Sequence, residues 1–264
     1  MYHYNQNIVV DQARRLLFCP IPKVACSNWK ITLRRGSGIA DYANNDIVHD
    51  RQKNGLKYLS DFGRARRALY LHYPRYMRAV FVRNPWTRAL SAYRSKIENA
   101  AQKIEFGTGN PKTRFIEEAV TGAKAYCRDR NLCEDPNDDN VSFLEFLRYL
   151  ASLDPHEMNE HWQPQYLVAG LDKVKYQFIG CFENLEGDSR RLCTLTGLPP
   201  LYTGPVSVEP THSSTPRIIE RYLNEIAQDL IAHIYRKDID ILGYKPQIST
   251  TVVADRAHSD ETNR

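Results

Sequence analysis

Apolar positions along this chain fall into two kinds of pattern. Short, largely apolar runs at residues 8–10, 16–19, 78–82 and 176–182 carry β-branched or aromatic side chains between turn residues, which predicts buried strands. Between and after them the apolar spacing becomes helical. Residues 27–35 predict a helix stopped by Gly36-Ser37-Gly38, and residues 61–71, 86–99 and 114–119 predict three more. Residues 142–150 predict an amphipathic helix with Phe143, Phe146, Leu147 and Leu150 on one stripe, and residues 188–196 a helix closed by Gly197 and two prolines. Residues 216–237 predict one long helix with Ile218, Ile219, Tyr222, Ile226, Leu230 and Ile234 facing inward. Residues 41–60, 107–112 and 128–140 have no such period and read as irregular chain. Strands alternating with helices predict a parallel sheet flanked by helices on both faces. Residues 1–246 are expected to form a single domain, and the polar stretch 247–264 a disordered tail.

Two strand–turn–helix junctions carry candidate chemistry. After the apolar run 16–19, Pro20 and Pro22 end the strand, since proline brings no N–H to a ladder. Lys23, Val24, Ala25 and Cys26 then form a tight loop, and Ser27 or Asn28 is expected to cap the next helix. Backbone N–H groups at such a helix start suit an anion, with Lys23 adding charge and Ser27 a hydroxyl. At the second junction Arg83 leaves the end of a strand, Asn84 is a good N-cap and Pro85 fits the first helical position. Thr87 and Ser91 share a helical face, so a guanidinium and hydroxyls converge beyond a strand's carboxyl end, where open α/β sheets bind ligands.

Together the junctions resemble a known pair. PKVACSNWK is similar to the 5′-phosphosulfate loop of sulfotransferases, and VRNPWTRALSAYR to their 3′-phosphate element, with Arg83 and Ser91 at the two matching positions. The nearest resemblance is to the Golgi carbohydrate sulfotransferases that sulfate chondroitin, dermatan and related glycans. Further blocks recur in the same order: Ile47-Val48-His49-Asp50, Asn159-Glu160-His161-Trp162-Gln163, residues 176–188, His212-Ser213-Ser214 and residues 235–244. The resemblance implies a P-loop-NTPase-like three-layer sandwich and sulfuryl transfer from 3′-phosphoadenosine 5′-phosphosulfate to a carbohydrate hydroxyl. It implies donor binding by Lys23, Val24, Ala25, Cys26, Ser27, Asn28, Arg83, Ser91, Ser213 and Ser214. Lys23 would stabilise charge on the leaving phosphate, and a histidine would take the acceptor's proton, with His49 the first candidate and His161 the second. Glu160, His161 and Trp162 would line the acceptor site. The expected acceptor is a glycan or glycolipid, and no metal is expected.

Composition narrows the alternatives. A formal charge of +5 over 264 residues favours acidic ligands without marking a nucleic-acid binder, and no RNA-binding or zinc-finger spacing is present. No apolar run reaches the 18 or so residues of a membrane span. The expected location is cytoplasmic for a complete chain, or the Golgi lumen for a piece of an anchored enzyme. None of the six cysteines has C-x-x-C spacing, and Cys127 with Cys133 is the pair able to bridge a loop. A kinase or NTPase of P-loop type is disfavoured by the lack of a G-x-x-x-x-G-K-[ST] loop. A non-catalytic relative that binds glycan or nucleotide is the other alternative.

Overall fold

The structure is a computed structural model that describes residues 4–135, 138, 140–204 and 216–245. Its elements in chain order are β1 (Val9–Asp11), β2 (Leu16–Cys19), α1 (Cys26–Gly36), α2 (Arg64–His72), β3 (Met77–Val82), α3 (Pro85–Lys96), α4 (Ala100–Lys103), α5 (Arg114–Asp129), α6 (Phe143–Ser152), α7 (Gln165–Ala169), β4 (Phe178–Cys181), α8 (Leu185–Thr196), α9 (Pro216–Tyr222), α10 (Glu225–Ile234) and α11 (Arg236–Leu242). The strands lie in the order β1-β2-β3-β4 in one four-stranded sheet. β1 runs antiparallel to β2, whereas β2, β3 and β4 are parallel, as the α/β pattern predicts.

Two hydrophobic cores support this frame. The first packs the sheet against α1, where Trp29 meets Phe18 and Phe81 at 4.7 Å between ring centroids. Gly180 on β4 faces Phe81, and a Cβ there would stand 2.5 Å from the Phe81 ring, so the ring occupies the space a side chain would need. The second core is helical and joins α3, α5, α6 and α10 around Trp86, Phe146 and Trp162.

Several elements depart from the sequence reading. The helix expected over 114–119 continues to Asp129, because the Tyr149 hydroxyl of α6 fills the space beside Gly122 and buried Val120, Ala123 and Cys127 extend the apolar face. The long helix expected over 216–237 is three helices. Asn224 accepts a hydrogen bond from Ala227 N at 2.9 Å, starts α10 anew and shifts its phase, which leaves Ile226 54% exposed rather than inward. All six cysteines are free, and Cys127 is buried with its thiol donating to the Glu145 carbonyl. The tail 247–264 and the Ser213–Ser214 pair lie outside the described residues.

Candidate active site

The carboxyl ends of β2, β3 and β4 share one edge of the sheet, and the residues that follow them meet there. The chain leaves β2 through a loop in which Lys23 and Ala25 both take left-handed conformations, with φ of 68° and 52°. The expected side-chain cap on α1 is absent. Ala25 occupies the N-cap position and offers no side-chain acceptor, while Ser27 and Asn28 lie inside the first turn. Their side chains are committed elsewhere: Ser27 Oγ is 2.8 Å from His49 Nε2, and Asn28 Nδ2 donates to Tyr202 O at 2.8 Å. The first turn also holds no acid, so the positive end of the helix dipole faces the loop uncompensated.

Around that helix end stands a group of cations. Burial pulls the Lys23 ammonium down to about 8, and repulsion from Lys96, Arg83 and Arg88 adds to this against an opposing effect of Cys26. Arg83 is 4% exposed; its Nη1 donates to Lys23 O at 3.0 Å, its Nε to Thr87 Oγ1 at 3.2 Å, and its guanidinium covers the Phe182 ring at 4.2 Å. Its backbone is clamped at both ends by one side chain, since Gln165 Oε1 accepts from Arg83 N at 2.9 Å and Gln165 Nε2 donates to Arg83 O at 2.8 Å. The nearby acid is Glu183, whose carboxylate accepts from Asn84 N and Tyr244 Oη. Ser91 is buried one turn beyond Thr87 on α3, and Val24 is buried in the loop.

The two candidate histidines sit in different surroundings. His49 is reached by solvent and lies in the irregular segment after α1. Desolvation pulls its imidazolium down to about 4, followed by the fields of Lys30, Lys96 and Lys23, which favours a neutral imidazole at pH 7. His161 is held firmly. Its ring stacks on Phe115 at 4.9 Å with 6° between planes, and its Nδ1 is 2.7 Å from Asn159 Oδ1. Burial, then Lys96, Lys23, Arg88 and His49, hold it well below the usual histidine range.

Arg88 joins the two sides. It is 1% exposed, and it donates through Nε to Pro22 O at 3.1 Å, through Nη1 to Gln163 O at 2.9 Å and through Nη2 to Glu160 O at 3.0 Å. Trp162 is not presented at the surface of its loop. Its ring is 3% exposed, packed edge-on against Phe146 and tilted against Phe115, and its carbonyl accepts from Tyr235 Oη at 2.7 Å. It borders a cavity of about 530 Å³ shared with Phe115, Tyr149 and Met158, a space that includes neither Lys23 nor His49.

Thus the structure brings Lys23, Ser27, His49, Arg83 and His161 into one electrostatic neighbourhood. Lys96, Arg88 and Phe115 belong to the same arrangement but carry no local sequence signal as site residues, whereas Asn159 opens the block that also holds His161. Among the described residues no group of three or more His, Cys, Asp or Glu is arranged to hold a metal ion, and no helix is long and apolar enough to cross a membrane.

Comparison with known proteins accords with this geometry. The chain is 34% identical to carbohydrate sulfotransferase 14 of Danio rerio over 93% of its own length and 64% of the relative's. It is 31% identical to carbohydrate sulfotransferase 14 and to carbohydrate sulfotransferase 9 of Homo sapiens, covering 58% and 54% of them. It therefore spans little more than half to about two-thirds of the length of these relatives. No solved structure gives a significant match. The sulfotransferase family profile matches residues 6–245, almost all of the described chain, and the protein belongs to the sulfotransferase family.

Proposed function

We propose that this chain transfers a sulfuryl group from 3′-phosphoadenosine 5′-phosphosulfate to a hydroxyl of a carbohydrate acceptor, with His49 receiving the hydroxyl proton. The observation that carries the reading is the His49 ring, whose Nε2 lies 2.8 Å from the Ser27 hydroxyl at a helix start with no side-chain cap. The carbohydrate class follows the names of the relatives.

The residues present fit a donor with two separated anionic groups. The donor supplies the activated sulfuryl group. Lys23, Ser27 and the backbone N–H groups of the Ala25–Asn28 stretch hold the anionic oxygens at the helix start and stabilise charge that grows there, while the Val24 N–H is already donated to Ile21 O. The absent cap side chain at Ala25 leaves those N–H groups available. Arg83 and Ser91 read a 3′-phosphate, a task suited to a planar guanidinium. Bound polyanion offsets the fields of Lys30, Lys96 and Lys23 at His49, which raises its basicity toward the range where general-base catalysis is effective. His161 and Glu160 meet the acceptor hydroxyls. Trp162 is left to the core.

The test separates binding from chemistry. His49→Ala is expected to lower turnover by roughly 10²–10⁴-fold while adenosine 3′,5′-bisphosphate affinity, measured by calorimetry, stays within about twofold. Near-normal turnover in His49→Ala beside an inactive His161→Ala would transfer the proton-accepting role to His161.

A further inference from the structure

The loop that carries His161 contains a fixed hydrogen-bond direction. Asn159 Oδ1 lies 3.1 Å from the His161 backbone nitrogen and 2.7 Å from His161 Nδ1. A backbone N–H can only donate, so the Asn159 atom facing it is the carbonyl oxygen and not the amide nitrogen. That oxygen can only accept, so the ring nitrogen beside it must carry the proton. A neutral imidazole has one N–H, and with it on Nδ1 the lone pair is on Nε2. Phe115 of α5 then holds the plane of the ring by parallel stacking.

We propose that Asn159 is a positioning residue that fixes His161 in the Nδ1–H tautomer and thereby makes Nε2 a hydrogen-bond acceptor for the hydroxyl-bearing substrate. The proposal rests on the functional reading above for the identity of that substrate, and on the ring geometry alone for the tautomer. The charged and titratable groups around the ring are Lys96 and Arg88 of α3, Lys23 of the loop after β2, and His49. Burial and the charges of Lys96, Lys23 and Arg88 oppose a second proton on the ring, so the neutral form persists and its orientation governs what it can bind. An asparagine, unlike a carboxylate, orients the imidazole without adding a charge that would favour imidazolium.

The experiment uses the full chain labelled with ¹⁵N, and long-range ¹H–¹⁵N spectra of the histidine rings, with His161→Gln to assign the signal. A pyrrole-type Nδ1 and a pyridine-type Nε2 are expected for His161 in the wild type. Asn159→Ala should mix the tautomers and raise the acceptor KM about tenfold, the effect of one lost hydrogen bond of roughly 1.4 kcal/mol, with adenosine 3′,5′-bisphosphate affinity unchanged. Asn159→Asp should keep the Nδ1–H form and move the acid limb of acceptor kcat/KM up by about one pH unit or more, because a carboxylate stabilises the imidazolium. A pyridine-type Nδ1 in the wild type would overturn the proposal. So would an Asn159→Ala protein with an unchanged ring spectrum, or an Asn159→Asp protein with an unmoved pH limb. If Asn159→Ala does not fold, the wild-type spectrum and the Asp variant still decide. Failure of the wild type to sulfate any carbohydrate would sink the functional reading while leaving the ring spectrum to judge the tautomer.

Discussion

The Lys23 side of the site and the His161 side are built by opposite means. Lys23, Ser27 and Arg83 stand where strands end and helices begin, on a loop with two left-handed residues and a helix start without a side-chain cap. The charges of Lys23 and Arg83 repel one another, and the arrangement is costly until an anion answers it. The His161 side is neutral where it matters and tightly satisfied: its ring is stacked, its Nδ1 is bonded, and the carbonyls on either side of it are held by Arg88. Strain is concentrated on the side proposed to face the donor, and rigidity on the side proposed to face the acceptor. Sites commonly trade stability for function in this way, and here the trade is unevenly shared.

Substitutions that break the comparison should therefore fail differently. The largest effect is expected at Trp162, where Trp162→Ala opens the second core and should cost about 3–5 kcal/mol of unfolding free energy in urea titrations. A loss below about 1 kcal/mol together with a raised acceptor KM would instead make this ring a ligand contact. Next comes Lys23→Met. It should reduce turnover by about 10²–10³-fold, the usual scale for one lost donor to developing charge, and yet melt no lower than wild type at pH 7. A lowered melting temperature would mean that Lys23 supports the fold and that the repulsion described here is not felt.

The smallest effect is a pH signature of the same residue. Unfolded, Lys23 titrates near 10.5, and folded, near 8. Between those values the unfolded chain holds a proton that the folded one has released, so stability rises with pH across the window. The difference in unfolding free energy between wild type and Lys23→Met should stay flat below pH 8 and move in favour of wild type up to pH 10.5. A flat difference throughout would show that solvent already screens the ammonium.

The contrast also accounts for what could be read from residues alone. The Lys23 side was legible because its determinants are local: prolines ending a strand, a polar residue starting a helix, and an arginine one position past an apolar run. The parallel strands were legible for the same reason. The cap was misread because Ser27 and Asn28 are good capping residues whose side chains are taken by His49 and the Tyr202 carbonyl, both far along the chain. The His161 side depends on partners brought together only by folding. Phe115 reaches it from α5 and Arg88 from α3, and nothing near residue 161 in sequence announces either. The resemblance puts Trp162 at the acceptor site, but α6 supplies Phe146, against which its ring is packed and buried. The split of the last helix was visible in principle, since Asn224 is a strong N-cap, but continuous apolar spacing masked it.

Arg88 has a consequence for which sequences can keep these two loops together. The turn containing Pro22 and the turn containing Glu160 and Gln163 belong to no common sheet, yet their carbonyls are joined through one side chain as though by the edge of a missing strand. A planar five-donor group can face three acceptors in fixed directions at once, while an ammonium on a flexible stem offers a single point of charge. The guanidinium therefore serves as a fragment of secondary structure made from one residue. Lysine, for all its matching charge, cannot replace it without letting the turns part.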